Sequence, residues 1–504
     1  MVKIVLQLPV LLKKRSKATF KVNQGFKSTS EVTDRTIAVG EAFGVGVDEE
    51  QVHQVYRNFE VNVKPGDIIY ITGESGSGKS TLLKVLAKQL REPLAAIEFG
   101  KVLCDWEMQI NGDEILVNGV GRDVNEALHY LSIAGLNDAF LFVRRFRELS
   151  DGQKYRYRIA KMLAGGASAW VFDEFAATLD RETAKIVSFC LQKVARTSGK
   201  TVVIATTHED LFIDLKPSVF IRKGWGEDVH VDYHPNVMGN LCSIAQNVRI
   251  KKGSYRDYKD LSQLHYRAGK PFCAKRVFKA EIAGRVIGVI IYSTPLLSVA
   301  GRNQFLGHTA TPEEVNRDFL TISRVILHPK FRGIGLGIRL VQETLPLADS
   351  KYVEAIAVMA RYNPFFSKAG MTEIPIQPTL ANHCIKTLES LRPFGFNPVF
   401  CSSLHYNTRI ITNLTKQEYY SLISILSHQA RLLISRRMHH NQKTPSTEEI
   451  QSKLSANRNL ASQSIKTIAI TAQPKKYYIW PCNKTNGSIQ ETAVQPFLNT
   501  TPTI

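Results

Sequence analysis

Short, continuous apolar runs that stop abruptly at polar residues recur along the first half of the chain. Ile68-Ile69-Tyr70-Ile71 reads as a buried strand; it is followed by Gly73-Glu74-Ser75-Gly76-Ser77-Gly78-Lys79-Ser80-Thr81, after which Leu82, Leu83, Val85 and Leu86 recur at helical spacing. Ala169-Trp170-Val171-Phe172 predicts a strand ending in Asp173-Glu174, and the run from Thr201 to Thr206 predicts another ending in Thr207-His208. Between them Leu149-Ser150-Asp151-Gly152-Gln153 opens a helical pattern that closes at Gly165-Gly166. Beyond a polar join near Asn236 to Lys252 the texture changes. A hairpin from Val277 to Tyr292 turns at Gly284-Arg285, a strand runs from Phe319 to Leu327, a glycine-rich turn opens a helix, and a further strand runs from Tyr352 to Met359. After Pro393 the alternation fades. Leu414 to Leu433 predicts a helix, and Ser446 to Ile504, rich in Ser, Thr, Asn, Gln and Lys, reads as a largely disordered tail.

The strand, glycine loop and helix at residues 68–86 form a phosphate cradle. Glycines let backbone N–H groups curl around an anion, and the helix N-terminus adds the positive end of its dipole. Gly73, Ser75, Gly76, Gly78, Lys79, Ser80 and Thr81 are thus the expected contacts to the phosphates of ATP, with Lys79 reaching the terminal ones and the Ser80 hydroxyl ligating Mg²⁺. Asp173, delivered at the end of an apolar strand, faces the same Mg²⁺, and the adjacent Glu174 is left to orient or deprotonate an attacking water. His208 ends the next strand at the same edge, in reach of a γ-phosphate.

These residues resemble the ATP-binding-cassette ATPases over about Thr36 to Gly226. The resemblance implies a Walker A loop at Gly73 to Ser80, a signature motif at Leu149 to Gln153, a Walker B strand at Trp170 to Asp173 with catalytic Glu174, a D-loop at Ala177 to Asp180, and a switch histidine at His208. It also implies an ATP-dependent homodimer. Ser150, Gly152 and Gln153 of one copy would then meet the nucleotide held by the other, Ser150 offering a second helix N-terminus to the γ-phosphate. Two departures stand out: Asp151 replaces the usual signature glycine, and no glutamine falls clearly in the Q-loop, where Asn118 and Gln109 are candidates. Phe43 is a candidate for stacking on adenine or equally for a core position.

In the second half, Arg332-Gly333-Ile334-Gly335-Leu336-Gly337, placed after a strand and before a helix, resembles the pyrophosphate-binding motif of the GNAT N-acyltransferases. Asn363 to Met371 resembles that family's next motif, and the likeness covers about Ser254 to Ile376. It implies acetyl-CoA or another acyl-CoA, its pyrophosphate on the backbone amides of Arg332 to Gly337 and its pantetheine between splayed strands. An amine would attack the thioester carbonyl, helped by positioning and oxyanion stabilisation. Phe366 stands where many of these enzymes carry a proton-donating tyrosine, so His265, Tyr266, Ser323 and Tyr362 are the candidates for acyl transfer. The His265-Tyr266 step and the Ser323-Arg324-Val325 strand also resemble phage Mom-type DNA-modification proteins.

The expected architecture is α/β: a P-loop ABC ATPase domain over 36–245 after an extension at 1–35, then a GNAT-like α+β domain over 246–395, a helical extension over 396–445 and the tail. Charge adds a partner to this picture. The 65 Lys and Arg against 45 Asp and Glu leave +20, which favours a polyanion such as nucleic acid. The seven cysteines lack zinc or CxxC spacing and read as reduced thiols of a cytoplasmic protein. The apolar stretch Ile4 to Leu12 precedes its basic residues, the reverse of a secretory signal, and no apolar run approaches the roughly 18 residues of a membrane span. Two functions fit: an ATP-driven acyltransferase acting on nucleic acid or a bound protein, or a clamp-like ATPase whose GNAT-like domain only binds.

Overall fold

The computed structural model describes residues 18–28, 31–46, 51–265, 271, 273–376, 379–429 and 446–482. They belong to two compact units, Met1–Ile291 with Arg324–Glu343 and Tyr292–Ser323 with Thr344–Ile504.

In the first unit β1 (Ala18–Ser28) and β2 (Gln51–Val63) form an antiparallel ribbon. A six-stranded sheet follows from β3 (Ile68–Gly73), β4 (Val102–Cys104), β5 (Ala169–Phe172), β6 (Thr201–Ala205), β7 (Val219–Lys223) and β8 (Val229–Tyr233), in the order β4-β5-β6-β3-β7-β8. All pairings are parallel except β7 with β8. Strands β3, β5 and β6 are predominantly apolar and buried almost throughout because elements cover both faces of a parallel sheet. On one face Ile69, Ile71, Val171 and Val203 pack with Leu82, Leu83 and Leu86 of the Lys79–Leu90 helix and with Val22, Tyr56 and Val61 of the ribbon.

The same unit continues past the expected boundary at 245/246. It takes in β9 (Arg249–Lys252), β10 (Ala274–Ile282), most of β11 (Arg285–Ser293) and the end of β12 (Phe319–Leu327), in the order β9-β10-β11-β12. Ala283 and Gly284 both take positive φ, 47° and 77°, which matches the turn twist to the hairpin. Tyr258 and Leu261 of the Tyr255–Leu261 helix cover Val277, Val289, Ile291 and Ile326.

In the second unit the start of β12 pairs in parallel with β13 (Tyr352–Ala357). Strand β15 (Lys476–Pro481) lies between β13 and β14 (Thr372–Ile374), antiparallel to both. Five helices, Thr379–Glu389, Leu404–Asn413, Lys416–Gln429, Thr447–Ala456 and Arg458–Ala472, lie in sequence between β14 and β15 among the described residues. They enclose a core of their own that includes Leu388, Leu422, Ile423, Ile450, Leu454, Ile465 and Ile468.

This corrects the expected tail. Residues 446–482 are helices and a buried strand; only 483–504 lie outside the described residues. Composition misled because the polar residues are absorbed locally. Ser446 and Glu449 make a capping box, and the hydroxyls of Ser462, Ser464, Thr467 and Thr471 donate to carbonyls one turn back, leaving Ile465 and Ile468 to face the core. Part of the expected N-terminal extension is likewise structural, as β1, while the Ile4 to Leu12 stretch falls outside the described residues.

One charged pair, Arg302 with Glu354, is wholly buried in the second unit. Glu354 accepts from Arg302 at 2.7 and 3.1 Å, from Thr321 at 2.6 Å and from Tyr477 at 2.8 Å. Arg302 also donates to the Leu296 and Leu297 carbonyls at 2.7 and 3.1 Å and lies over the Phe319 ring. Glu354→Ala leaves Arg302 uncompensated and should cost about 3–5 kcal/mol. A urea titration followed by near-ultraviolet circular dichroism should show that loss, with Glu354→Gln milder.

Candidate functional site: a phosphate cradle with an acidic edge

The parallel register brings the C-terminal ends of β3, β5 and β6 to one edge, and the expected residues of the first site meet there. Gly73 has φ 147°, and a Cβ on it would lie 2.1 Å from the Lys223 carbonyl; Gly76 and Gly78 have φ 80° and 103°. Only glycine serves at these points. On the ribbon side the Tyr56 hydroxyl donates to the Gly78 carbonyl at 3.1 Å. Lys79 donates to the Glu74 carbonyl at 2.5 Å across the loop. Burial lowers the Lys79 pKa, and the charges of Asp173 and Glu174 oppose that shift. The Ser77 hydroxyl is buried and has no hydrogen-bond partner among the described residues.

The Ser80 hydroxyl donates to Asp173 Oδ1 at 2.8 Å, joining the cradle to the acidic edge. These two hard oxygens beside a phosphate cradle suit Mg²⁺, which would be held by Ser80, Asp173 and the phosphates. Glu174 follows, exposed, with its N–H donating to Asp173 Oδ1 at 3.0 Å and its backbone in the left-handed region at φ 47°. His208 lies three residues beyond β6, half-buried, its N–H donating to the Thr206 hydroxyl at 3.3 Å and its carbonyl accepting from the Tyr70 hydroxyl. Burial, and then the Arg181 charge, lower its pKa.

Ser150 caps the Asp151–Ala164 helix, accepting from Gln153 N while Gln153 Oε1 accepts from Ser150 N. Gly152 lies where a Cβ would sit 3.4 Å from the Thr178 carbonyl and from Leu179, so the helix start is pressed onto the loop behind Glu174. Tyr155 in the same helix accepts the Ala176 N–H at 3.1 Å.

One residue at this edge was not expected. Asp105, directly after β4, accepts the Asp173 N–H at 3.2 Å. Burial is the main cause of a carboxyl pKa pushed up to about 6, with the Asp173 charge adding to it. The signal was present: Val102-Leu103-Cys104 ending in Asp105 repeats, in brief, the apolar-run-then-carboxylate pattern of Trp170 to Asp173. Asn118 and Gln109, the expected Q-loop candidates, are both exposed. Phe43 sits 78% exposed at the end of the Asp34–Phe43 helix; Phe26 on β1, opposite His53 of β2, is the exposed aromatic on the strand pair whose Tyr56 touches the cradle.

The second expected set is divided. In the first unit, Gly333 and Gly335 take φ 90° and 84°, and a Cβ on Gly335 would meet nothing within 4 Å. The amides of Gly333 to Gly337 donate to no backbone carbonyl among the described residues. The Arg332 guanidinium is committed to the Leu327, Asn137 and Leu264 carbonyls. His265 follows the Ser262–Leu264 turn, and Tyr266 lies outside the described residues. In the second unit the Ser323 and Ser293 hydroxyls are 2.7 Å apart, Tyr362 is 39% exposed, and Phe366 is buried against Phe365 and Tyr478.

The profile of the family described as ABC transporter matches residues 56–177. The alpha-hemolysin translocation ATP-binding protein HlyB of Proteus vulgaris is 30% identical over 186 residues, a stretch covering 30% of this chain and 25% of that protein. The cytochrome c biogenesis ATP-binding export protein CcmA of Vibrio vulnificus (strain CMCP6) is 24% identical over 186 residues, 32% of this chain and 87% of that one. Among solved structures, the ATP-binding cassette MJ0796 in a dimeric post-hydrolysis state bound to ADP and Pi is similar at 20% identity and a TM-score of 0.32, covering 43% of this chain and 98% of that one. The chain thus spans about a quarter of the length of the hemolysin-type relative. Residues 56–177 are an ABC transporter ATPase domain, of α/β P-loop fold, and the chain carries an ABC-type ATPase. Among the described residues no helix is long and apolar enough to cross a membrane.

A carboxylate beside the Asp173 amide makes the edge more negative without a cation. Asp105→Asn keeps the acceptor and removes the charge. The gain in ATP affinity on adding Mg²⁺ should shrink about tenfold, near 1.4 kcal/mol, by titration calorimetry with and without EDTA.

Proposed function

We propose that the chain is an ATP-hydrolysing cassette joined to a GNAT-like domain that takes acetyl-CoA or a related acyl-CoA and transfers its acyl group to an amine. For the cassette, the observation that carries the reading is the Ser80 to Asp173 hydrogen bond at 2.8 Å with Glu174 one residue beyond. In this reading backbone amides of the loop and Lys79 hold the β- and γ-phosphates of ATP, and Ser80 and Asp173 would hold Mg²⁺, which would offset charge on the transferred phosphoryl group. Glu174 orients the attacking water. His208 contacts the γ-phosphate. Phe26 offers its ring to the base in preference to Phe43. A homodimer in which Ser150, Gly152 and Gln153 of one copy close on the nucleotide of the other is part of the proposal.

The acyl-CoA half is supported by the open amides of the Gly333–Gly337 turn at the N-terminus of the nine-residue Leu336–Thr344 helix. It is supported also by a β12–β13 parallel pairing that runs only from Phe319 with Tyr352 to Thr321 with Glu354, as strands that splay would. With Phe366 in the core, proton transfer falls to His265, Tyr266, Ser323 or Tyr362. The basic excess makes a polyanion, DNA or RNA, the proposed carrier of the acceptor amine.

Lys79→Ala should abolish ATP binding, while Glu174→Gln should bind ATP, hydrolyse none and sediment as a dimer at saturating ATP and Mg²⁺; a monomer there would overturn the two-copy site. Gly335→Glu puts a bulky anion where backbone must approach pyrophosphate. It should eliminate acetyl-CoA binding in calorimetry and leave ATP hydrolysis unchanged; no saturable binding to the wild type at millimolar acetyl-CoA would remove the acyl-CoA reading.

A further inference from the structure

We infer that Lys330 is a positioning residue of the ATPase cycle, holding the loop behind Glu174 from the same turn that carries the glycine cradle of the second half. Two carboxylates converge on its ammonium, Asp180 at 2.5 Å and Glu182 at 2.6 Å. Both Glu182 oxygens also accept from Arg285, at 2.8 and 2.9 Å, and the Lys330 and Arg285 charges both lie over the Phe331 ring. Two acids and two bases therefore balance within one cluster. Lys330 is the least exposed of the four, its side chain 21% accessible.

The cluster closes the far end of a strained loop. Between Glu174 and Asp180 the backbone takes two left-handed non-glycine residues, Glu174 at φ 47° and Ala176 at φ 59°, which persist only where the surroundings enforce them. Tyr155 anchors the start of this loop through the Ala176 amide, Gly152 backs its middle, and Asp180 ends it. Asp180 has a double duty: it caps the Arg181–Ser198 helix, accepting from Thr183 N at 3.1 Å and from the Thr183 hydroxyl at 2.6 Å, while it accepts from Lys330. Burial pushes its carboxyl up, and Lys330 with Thr183 outweigh that, holding it at about 2.

Lys330 cannot move alone. Two residues on, Arg332 is pinned to the Asn137 and Leu327 carbonyls, and a Cβ on Gly333 would lie 3.5 Å from Cys190 Sγ and 3.6 Å from the Ser132 carbonyl. A shift of the Glu174 loop is thus transmitted to the glycine turn, and a ligand seated on that turn shifts the loop in return. The identity of that ligand as acyl-CoA rests on the proposed function; the positioning of Asp180 does not.

The test uses the full chain and steady-state ATP hydrolysis. Lys330→Met should lower kcat about tenfold with KM for ATP unchanged, and Lys330→Arg should restore most of it. Combining Lys330→Gln with Glu182→Gln should lose no more than the larger single effect, since both break one cluster. Unchanged kcat in both Lys330→Met and Lys330→Gln, or strictly additive losses, would overturn the inference. Saturating acetyl-CoA should change kcat of the wild type and not of Lys330→Met. If acetyl-CoA fails to bind at all, the acyl-CoA reading falls while the kcat and double-variant results still decide the role of Lys330.

Discussion

Everything at the nucleotide edge depends on the parallel register of β3, β5 and β6. Because Ile68 pairs with Val202 and Ala169 with Thr201, the three strands run out together, and Gly73, Asp173 and Thr206 leave the sheet side by side. Short side chains then suffice. A serine hydroxyl on the first turn of one helix reaches an aspartate on the next strand but one without any long lever, and a short side chain has little rotamer freedom to lose. The close approach of Gly73 to the Lys223 carbonyl comes from the same register, since β7 pairs with β3 on its other side.

The electrostatic consequence is an edge with more acid than base. Asp105, Asp173 and Glu174 outnumber the bases Lys79 and Arg158 there, and burial works against charge on Asp105 and on Lys79 alike. Two of these carboxylates are tied down, Asp173 Oδ1 by the Ser80 hydroxyl and the Glu174 amide and Asp105 by the Asp173 amide, while Glu174 is exposed. An arrangement of this kind suits a polyanion that arrives with its own divalent cation, whose charge offsets both the phosphates and the edge. It suits a neutral ligand poorly.

The cassette could be read from the sequence because its strands are buried on both faces and its turns demand particular residues. An apolar run ending in Asp173-Glu174 has few other uses, and the glycines at 73, 76 and 78 are forced by backbone conformation. Asp105 was passed over because β4 is only Val102–Cys104, too short to register as a strand against its surroundings. The helices after Ser446 were missed for the opposite reason: Ser and Thr that return their hydroxyls to the backbone look like solvent-facing residues until the carbonyls they bond are known. Strand β15 needs both neighbours, β13 and β14, before its Tyr-Tyr-Ile run has anything to be buried against.

The loop from Glu174 to Asp180 is held by several separate contacts at the acidic edge. In the proposed reading Glu174 orients water and has to be held to within a fraction of an ångström, yet it is exposed and sits on left-handed backbone. No single contact fixes it. The loop is fastened by the Ala176 amide to Tyr155, by close packing of Thr178 and Leu179 on Gly152, and by Asp180 to both Thr183 and Lys330. The first two fastenings come from the Asp151–Ala164 helix, whose own N-terminus is the expected partner of a second copy's nucleotide. The third comes from a turn far along the chain. The geometry of the Glu174 loop is therefore set from two directions at once.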